Sequence, residues 1–177
     1  AVAASAAETL CSEGIKARHC VGDVRKLEDV QHAVEVATQG ASRLDVLVNC
    51  AAGNFLAPLE GLTPKGFRTV MEIDTIGVYN ACHAALGALK RPGWEDNATE
   101  RTDSALILNV SATLHYGATW YQAHPSAAKA AIDSLTRSMA LEWGAHGIRV
   151  VGVAPGPIKG TAGLAKLAPG LEGLTAQ

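Results

Sequence analysis

Apolar residues along the chain recur at two spacings, one helical and one typical of buried strands. Residues Leu27–Thr38 show the helical spacing most clearly, with apolar side chains three, four and seven positions after Val30. The same spacing predicts four helices, over residues 1–12, Leu27–Thr38, 63–89 and 126–143. Gly14 follows the first, Pro64 lies in the first turn of the third, and Pro92-Gly93 ends it.

Between these helices lie segments that predict strands. They are residues 15–21, 45–49, Ala105–Val110 and Ile148–Val153, of which 45–49 is a near-continuous apolar run. Runs without polar alternation are typical of parallel strands that are covered on both faces. Strands that alternate with helices imply right-handed crossovers in one sheet, so the pattern predicts an α/β fold with a doubly wound parallel sheet.

The chain shows no internal repeat and no second apolar cluster, so residues 1–177 are predicted to form a single domain. Residues 94–103 and 170–177 are predicted to be surface loops. Residue 1 already resembles the middle of a helix, and the last residues carry no targeting tripeptide. We therefore expect a partial domain, truncated at both ends.

Composition narrows the function classes. A net charge of -2 and scattered basic residues do not favour nucleic-acid binding, and no apolar run approaches the roughly 20 residues that span a bilayer. The four cysteines lack metal-type spacing, and we predict small buried side chains, with Cys50 in a strand and Cys82 in a helix. No metal site is expected.

Small and polar residues follow three of the predicted strands, where open α/β sheets place their ligands. They are Asp23-Val24, the segment 49–53, and the segment 155–161. Each has a plainer interpretation: Asp23 could cap a helix, 49–53 could be a tight turn, and 155–161 could be a proline-rich loop.

Taken together, Asp23-Val24, Asn49-Cys50-Ala51-Ala52-Gly53, Ser126-Ala127-Ala128-Lys129 and Ala154-Pro155-Gly156-Pro157 resemble the short-chain dehydrogenase/reductase family in order and context. The resemblance implies a Rossmann-type fold and a nicotinamide cofactor. It implies that Asp23 and Val24 hold adenine and that Lys129 holds the nicotinamide ribose. The full set of implied cofactor residues is Asp23, Val24, Asn49, Ala51, Ala52, Gly53, Lys129, Pro155, Gly156, Ile158 and Thr161.

Three of the four catalytic positions of that family differ in this chain. Lys129 is present, but the usual Tyr four residues earlier is Pro125, the usual Ser is Ala112, and the usual Asn is Asp74. Reduction of a ketone leaves an alkoxide that an acid such as Tyr must protonate. Reduction of a conjugated dienoyl thioester instead spreads charge into a dienolate, which needs hydrogen-bond stabilisation and later protonation at carbon.

The segments 49–55, 71–75, 111–114 and 155–161 resemble peroxisomal 2,4-dienoyl-CoA reductases, in which an Asp and a Lys work with a bound water. The resemblance implies that Asp74 and Lys129 are catalytic, that NADPH is the cofactor, and that an acyl-CoA thioester is the substrate. It also implies a trans-3-enoyl-CoA product, a peroxisomal location and a homo-oligomer, a dimer or tetramer joined through the helices 67–89 and 126–143. NADPH and the location rest on the resemblance alone.

Residues near the catalytic positions are candidates for substrate contact. Asn54 and Phe55 are predicted to line the acyl-chain entrance, and Tyr116 is the candidate ligand of a substrate oxygen. Other aromatic residues in the loop before Lys129, namely His115, Trp120, Tyr121 and His124, are as well explained by packing. Asp74 could instead bond a neighbouring backbone group, and Lys129 could be a solvated helix residue.

Two other functions remain open at this stage. One is a different enoyl or carbonyl reductase of the same fold, which activity on a dienoyl-CoA against a simple enoyl-CoA would separate. The other is a non-catalytic subunit, which the missing Tyr suggests. Failure of the full-length protein to bind NADPH would favour this second alternative.

Overall fold

Three parallel strands form the centre of the molecule. The computed structural model describes residues 2–39, 41–94 and 103–167. Strands β1 (Val46–Asn49), β2 (Ala105–Val110) and β3 (Ile148–Val153) lie in the order β1-β2-β3. Val46 pairs with Leu106, and Ala105 pairs with Ile148. The predicted parallel α/β architecture is confirmed.

Six α-helices accompany the sheet within the described residues. They are α1 (Val2–Ser12), α2 (Leu27–Thr38), α3 (Pro64–Met71), α4 (Gly77–Leu89), α5 (Ala123–Trp143) and α6 (Ala162–Leu167). Helices α4 and α5 pack against the strands. Their core is built from fully buried side chains such as Leu89, Ile107 and Ile132. The opposite face of the sheet carries exposed valines, including Val48 and Val151.

Residues 15–21 do not form the strand that their apolar pattern predicts. The segment is extended but joins no sheet, and Ile15 and Val21 are 50% and 81% exposed. A strand is defined by the hydrogen bonds it makes to a neighbour, and the described part of the chain places no strand beside this segment. The prediction was therefore wrong, because pattern alone cannot supply a pairing partner.

The helix predicted over residues 63–89 is interrupted. Thr63 caps α3, accepting a hydrogen bond at its hydroxyl from the Gly66 N–H, and Pro64 opens the helix as predicted. The π-helical turn Glu72–Ile76 then separates α3 from α4. Such turns insert an extra residue into a helix and occur frequently at functional sites.

Several smaller predictions also change. Helix α5 begins at Ala123, three residues earlier than predicted, after Tyr121 with a positive φ of 63°. Cys82 is buried as predicted, and burial raises the pKa of its thiol to about 11 against the opposing effect of Asn49. Cys50 is exposed just beyond β1, so its predicted burial was wrong.

The predicted loop 94–103 lies largely outside the described residues, and the predicted tail 170–177 lies wholly outside them. Within the part of the chain that the structure describes, no three potential metal ligands cluster. No helix in that part is long and apolar enough to cross a bilayer.

A buried arginine joins the amino-terminal ends of β1 and β2. The Arg91 side chain is 7% exposed and donates to the backbone carbonyls of Leu89, Leu44 and Asp103 and to the Asp45 carboxylate. These carbonyls come from three separate segments, so one guanidinium satisfies acceptors that no strand partner reaches.

We expect Arg91→Met to lower the free energy of unfolding by about 2–4 kcal/mol, because it leaves several partly buried acceptors without a hydrogen-bond donor. The matched control is Arg43→Met: Arg43 pairs with Asp45 and Asp103 but is 47% exposed, so its loss should cost less than about 1 kcal/mol. Urea denaturation of both variants would measure this. Equal losses would contradict the structural role given to Arg91.

Candidate active site

A buried carboxylate joins three segments of the fold. Asp74 is 1% exposed, and its Oδ1 accepts a 2.7 Å hydrogen bond from the backbone N–H of Gly53. Its Oδ2 lies 3.3 Å from the Lys129 Nζ. Asp74 therefore bonds a backbone group and also pairs with Lys129, the other residue expected to be catalytic.

Local sequence explains why these three groups meet. Asp74 lies in the π-helical turn, whose Thr75 hydroxyl donates to the Ala128 carbonyl on α5, 3.3 Å away. Gly53 approaches the same turn so closely that a Cβ on it would lie 2.9 Å from the Ile73 Cδ1. A larger residue at position 53 would push the donating N–H away from Asp74.

The lysine is held as firmly as the carboxylate. Lys129 Nζ also donates to the Val110 carbonyl at 3.1 Å, and the side chain is only 10% exposed. The solvated alternative for Lys129 is therefore wrong. Pro125 is fully buried in the first turn of α5, where its missing N–H costs no helical hydrogen bond.

A groove brings together several residues expected to hold the cofactor. Asp23, Val24, Asn49 and Ala51 line a cavity of about 400 Å³ between α2, β1 and α4. Asn80 fixes the turn at Val24 by donating from its amide to the Val24 carbonyl at 3.0 Å.

Asp23 is paired rather than capping. Its carboxylate accepts from the side chain and the backbone N–H of Arg25, and these contacts lower the pKa of Asp23 to about 2. The N-cap of α2 is Lys26, which makes no side-chain capping bond. The helix-cap alternative for Asp23 is therefore wrong, and its carboxylate stays partly exposed in the groove.

Asn49 points into the core of the sheet. Its amide donates to the Asn109 side-chain oxygen at 2.8 Å and to Cys82 Sγ at 3.2 Å. Asn109 in turn donates to the Thr136 hydroxyl at 2.9 Å, so a buried polar chain runs from β1 through β2 to α5. The side chain of Asn49 therefore has a structural role, beside any contact of its backbone with a cofactor.

The segment after β3 is mostly exposed. Ile158 is 54% exposed, and a Cβ on Gly156 would meet no atom within 4 Å. Thr161 accepts at its hydroxyl from the Leu164 N–H and donates to the Ile158 carbonyl at 2.8 Å. Pro155 is half-buried at the start of this segment. The exposed backbone here is open to a ligand, whereas the Thr161 hydroxyl is already used.

Two loops meet above the Asp74–Lys129 pair. The Asn54 amide donates to the Gln122 side-chain oxygen at 3.1 Å, and the Ala57 N–H donates to the Tyr121 carbonyl at 3.0 Å. The Phe55 ring lies against His124, with ring centroids 4.4 Å apart. These contacts place both predicted entrance residues, Asn54 and Phe55, beside the start of α5.

Comparison with known proteins decides the family. The family model described as short chain dehydrogenase matches residues 1–171. This chain belongs to the short-chain dehydrogenase family. A crystal structure of a gluconate 5-dehydrogenase from Burkholderia cenocepacia J2315 in complex with NADP and tartrate superposes with a TM-score of 0.72 and 27% identity. That match covers 86% of this chain and 56% of the other, and it supports the Rossmann-type fold.

The curated relatives are more specific. The chain is 54% identical to a peroxisomal 2,4-dienoyl-CoA reductase [(3E)-enoyl-CoA-producing] of Arabidopsis thaliana, over 93% of this chain and 55% of that protein. It is 42% identical to the Mus musculus protein of the same name, over 82% of this chain and 46% of that protein. The chain thus spans about half the length of these relatives.

Within this short-chain dehydrogenase, one predicted substrate residue lies apart from the rest. Tyr116 is 68% exposed, and its ring packs edge-on against His115 at 4.5 Å. His115 is itself tied to Asp133 by a 2.7 Å contact. Neither residue shares a hydrogen bond with Asp74, Lys129 or the Asn54–Gln122 contact, so the substrate role of Tyr116 stays a prediction.

Sequence reasoning missed two groups at the site. Ser111 is buried immediately before Ala112, and its hydroxyl has no hydrogen-bond partner among the described residues. His124 was expected in the loop before Lys129, with packing as its plain explanation, and it lies instead in the first turn of α5, fully buried. The one feature of the sequence that could have pointed to His124 is its place directly before Pro125, which occupies the position of the usual Tyr.

We expect Asn109→Leu to lower the free energy of unfolding by about 2–4 kcal/mol, because the buried Asn49 and Thr136 groups each lose a partner. Val151→Thr, a half-exposed position on the neighbouring strand, serves as control and should change stability by less than about 0.5 kcal/mol. Chemical denaturation would measure both. A loss below about 1 kcal/mol for Asn109→Leu would show that the polar chain is not important for stability.

Proposed function

We propose that the intact protein containing this chain reduces 2,4-dienoyl-CoA with NADPH to trans-3-enoyl-CoA. The buried Asp74–Lys129 pair is the single observation that carries the proposal. It occupies the position where other short-chain dehydrogenases use Asn and Lys, while Pro125 and Ala112 offer no proton to an alkoxide. The names of the curated relatives support the same reaction.

The residues around the groove fit a nicotinamide nucleotide. Ala51 and Ala52 are small and exposed at the carboxyl end of β1, and Asp23 presents a partly exposed carboxylate. When bound, NADPH supplies the hydride that adds to the far end of the diene. Lys129 is positioned to hold ribose hydroxyls, and its charge next to the site favours the dienolate that forms.

Protonation of the dienolate is assigned to a water near Asp74 and Lys129. The carboxylate is fixed at one oxygen by the Gly53 N–H and faces Lys129 with the other, so it does not rotate freely. A fixed acceptor orients a water with little reorganisation during the reaction. Delivery of the proton to the carbon next to the thioester leaves the double bond at C3, which gives the 3-enoyl product.

The intact protein should oxidise NADPH in the presence of a 2,4-dienoyl-CoA and not with a ketone. Asp74→Asn keeps size but cannot exchange a proton, and it should lower turnover about a hundredfold while sparing NADPH binding. Lys129→Ala should lose both turnover and NADPH binding, because the group that holds the ribose and its positive charge disappear together. Steady-state rates and fluorescence titration of NADPH measure these effects. Full activity of Asp74→Asn would remove its acid-base role, and preference for a simple enoyl-CoA would replace the proposed substrate.

We further propose that the intact protein is a homo-oligomer that joins through α4 and α5. Ile76 and Tyr79 are 45% and 47% exposed, and with Leu135 they line an apolar groove between these helices. Light scattering should report at least two chains per particle. Tyr79→Glu places a charge in the apolar groove, and it should lower the measured number of chains per particle toward one. A monomeric wild-type protein at working concentration would contradict this.

The relatives' names place them in peroxisomes, and we propose the same location for the intact protein. Microscopy of the intact protein, with its termini free, against a peroxisomal marker would test it. A cytosolic distribution would contradict the proposal.

A further inference from the structure

His124 is buried without satisfying its hydrogen-bonding capacity. The ring is 0% exposed, and neither nitrogen has a hydrogen-bond partner among the described residues. It lies in the first turn of α5, five positions before Lys129. An unmet buried polar group costs about 1–3 kcal/mol, so a histidine in this position calls for a physical explanation.

The surroundings of the ring keep it neutral. Burial lowers the pKa of His124, while the Phe55 backbone and the Asp74 charge oppose that shift without reaching hydrogen-bonding geometry. A neutral imidazole carries one N–H donor and one acceptor nitrogen. His124 can therefore orient a small polar molecule without adding a second positive charge beside Lys129.

Two further unmet polar groups belong to residues that adjoin the Asp74 and Lys129 contacts in sequence. Five buried side-chain nitrogen and oxygen atoms lack partners among the described residues, and two of them belong to His124. Ser111 Oγ and Asn54 Oδ1 are two more. Ser111 follows the carbonyl that binds Lys129, and Asn54 follows the N–H that binds Asp74. Such groups suit a bound polar molecule that makes two to four hydrogen bonds.

Phe55 covers the imidazole of His124. Its ring lies between His124 and Gly66, where a Cβ would be 3.0 Å from the Phe55 Cζ. Phe55 is 37% exposed and belongs to a coil segment, and a role for His124 at the site requires the Phe55 side chain to rotate when substrate binds.

We propose that His124 is a positioning residue that, together with Asp74, holds the protonating water over the carbon next to the thioester. This inference rests on the proposed dienoyl-CoA reduction. The dienolate formed by hydride addition can take a proton at C2, giving the 3-enoyl product, or at C4, giving the 2-enoyl product. The water transfers one proton to carbon, and a solvent proton neutralises the hydroxide that remains.

The role assigned to His124 is tested by which carbon of the dienolate receives the proton. A residue that only packs against Phe55 would affect stability or substrate binding, and it would not change which carbon receives the proton. A residue that fixes the water changes the ratio of 3-enoyl to 2-enoyl product and lowers kcat with little change in KM.

The experiment uses the intact protein, with products resolved by chromatography and located by NMR after reaction in D₂O. His124→Phe keeps an aromatic ring against Phe55 and removes both nitrogens. His124→Asn and His124→Gln place an amide near the Nδ1 and Nε2 positions respectively. His32→Phe, at an exposed position of α2 where His32 pairs with Glu35, is the matched control.

We expect His124→Phe to lower kcat by about tenfold or more, with NADPH affinity within about twofold of wild type and deuterium appearing at C4 as well as C2. One of the two amide variants should restore much of the rate and the C2 preference, and His32→Phe should match wild type.

Wild-type rate and product ratio in His124→Phe would overturn the proposal. So would a parallel loss of activity, NADPH binding and thermal stability in all three variants, since that result indicates a structural role. Wild-type protein is measured first: if it does not reduce the dienoyl-CoA, the proposed function itself fails, and this inference falls with it. A failure confined to the variants leaves the proposed function standing.

Discussion

The site depends on one buried negative charge, the carboxylate of Asp74. A carboxylate removed from water is very costly unless charge and hydrogen bonds replace its solvation. Here the Gly53 N–H and the Lys129 ammonium do so, and each comes from a different element. The end of β1, the break between α3 and α4, and the start of α5 must therefore meet at fixed distances. The same constraint that holds these elements together fixes both carboxylate oxygens of Asp74 in the site.

The interrupted helix shows how the fold meets this constraint. In a regular α-helix, Asp74 would lie in an uninterrupted series of backbone hydrogen bonds. The π-helical turn instead inserts an extra residue in the segment that contacts α5 through Thr75. Gly53 completes the arrangement, because a Cβ at this position would lie 2.9 Å from the Ile73 Cδ1 and would force the Ile73 side chain to shift. The reaction proposed for the intact protein needs no tyrosine, since it assigns the proton transfer to a water beside this carboxylate.

Polar contacts also stabilise both ends of the sheet. At the carboxyl ends of the strands, Asn49 and Asn109 connect β1 and β2 to α5. At the opposite ends, Arg91 donates hydrogen bonds to backbone carbonyls of separate segments, those of Leu44 and Asp103. The apolar core lies between these two sets of polar contacts. The contacts at the carboxyl ends lie beside the segments that carry Gly53 and Ser111, which the proposed proton transfer uses.

By itself the sequence determined the strands β1, β2 and β3, most of the helices, and the roles expected of Asp74 and Lys129. Periodicity and short motifs are properties of neighbouring residues, so they are readable without coordinates. Tertiary structure alone decided that residues 15–21 pair with no strand among the described residues, that a helix breaks at Glu72–Ile76, and that His124 is buried. Strand pairing, burial and charge compensation are set by residues distant in the chain, and no local pattern records which of them will meet.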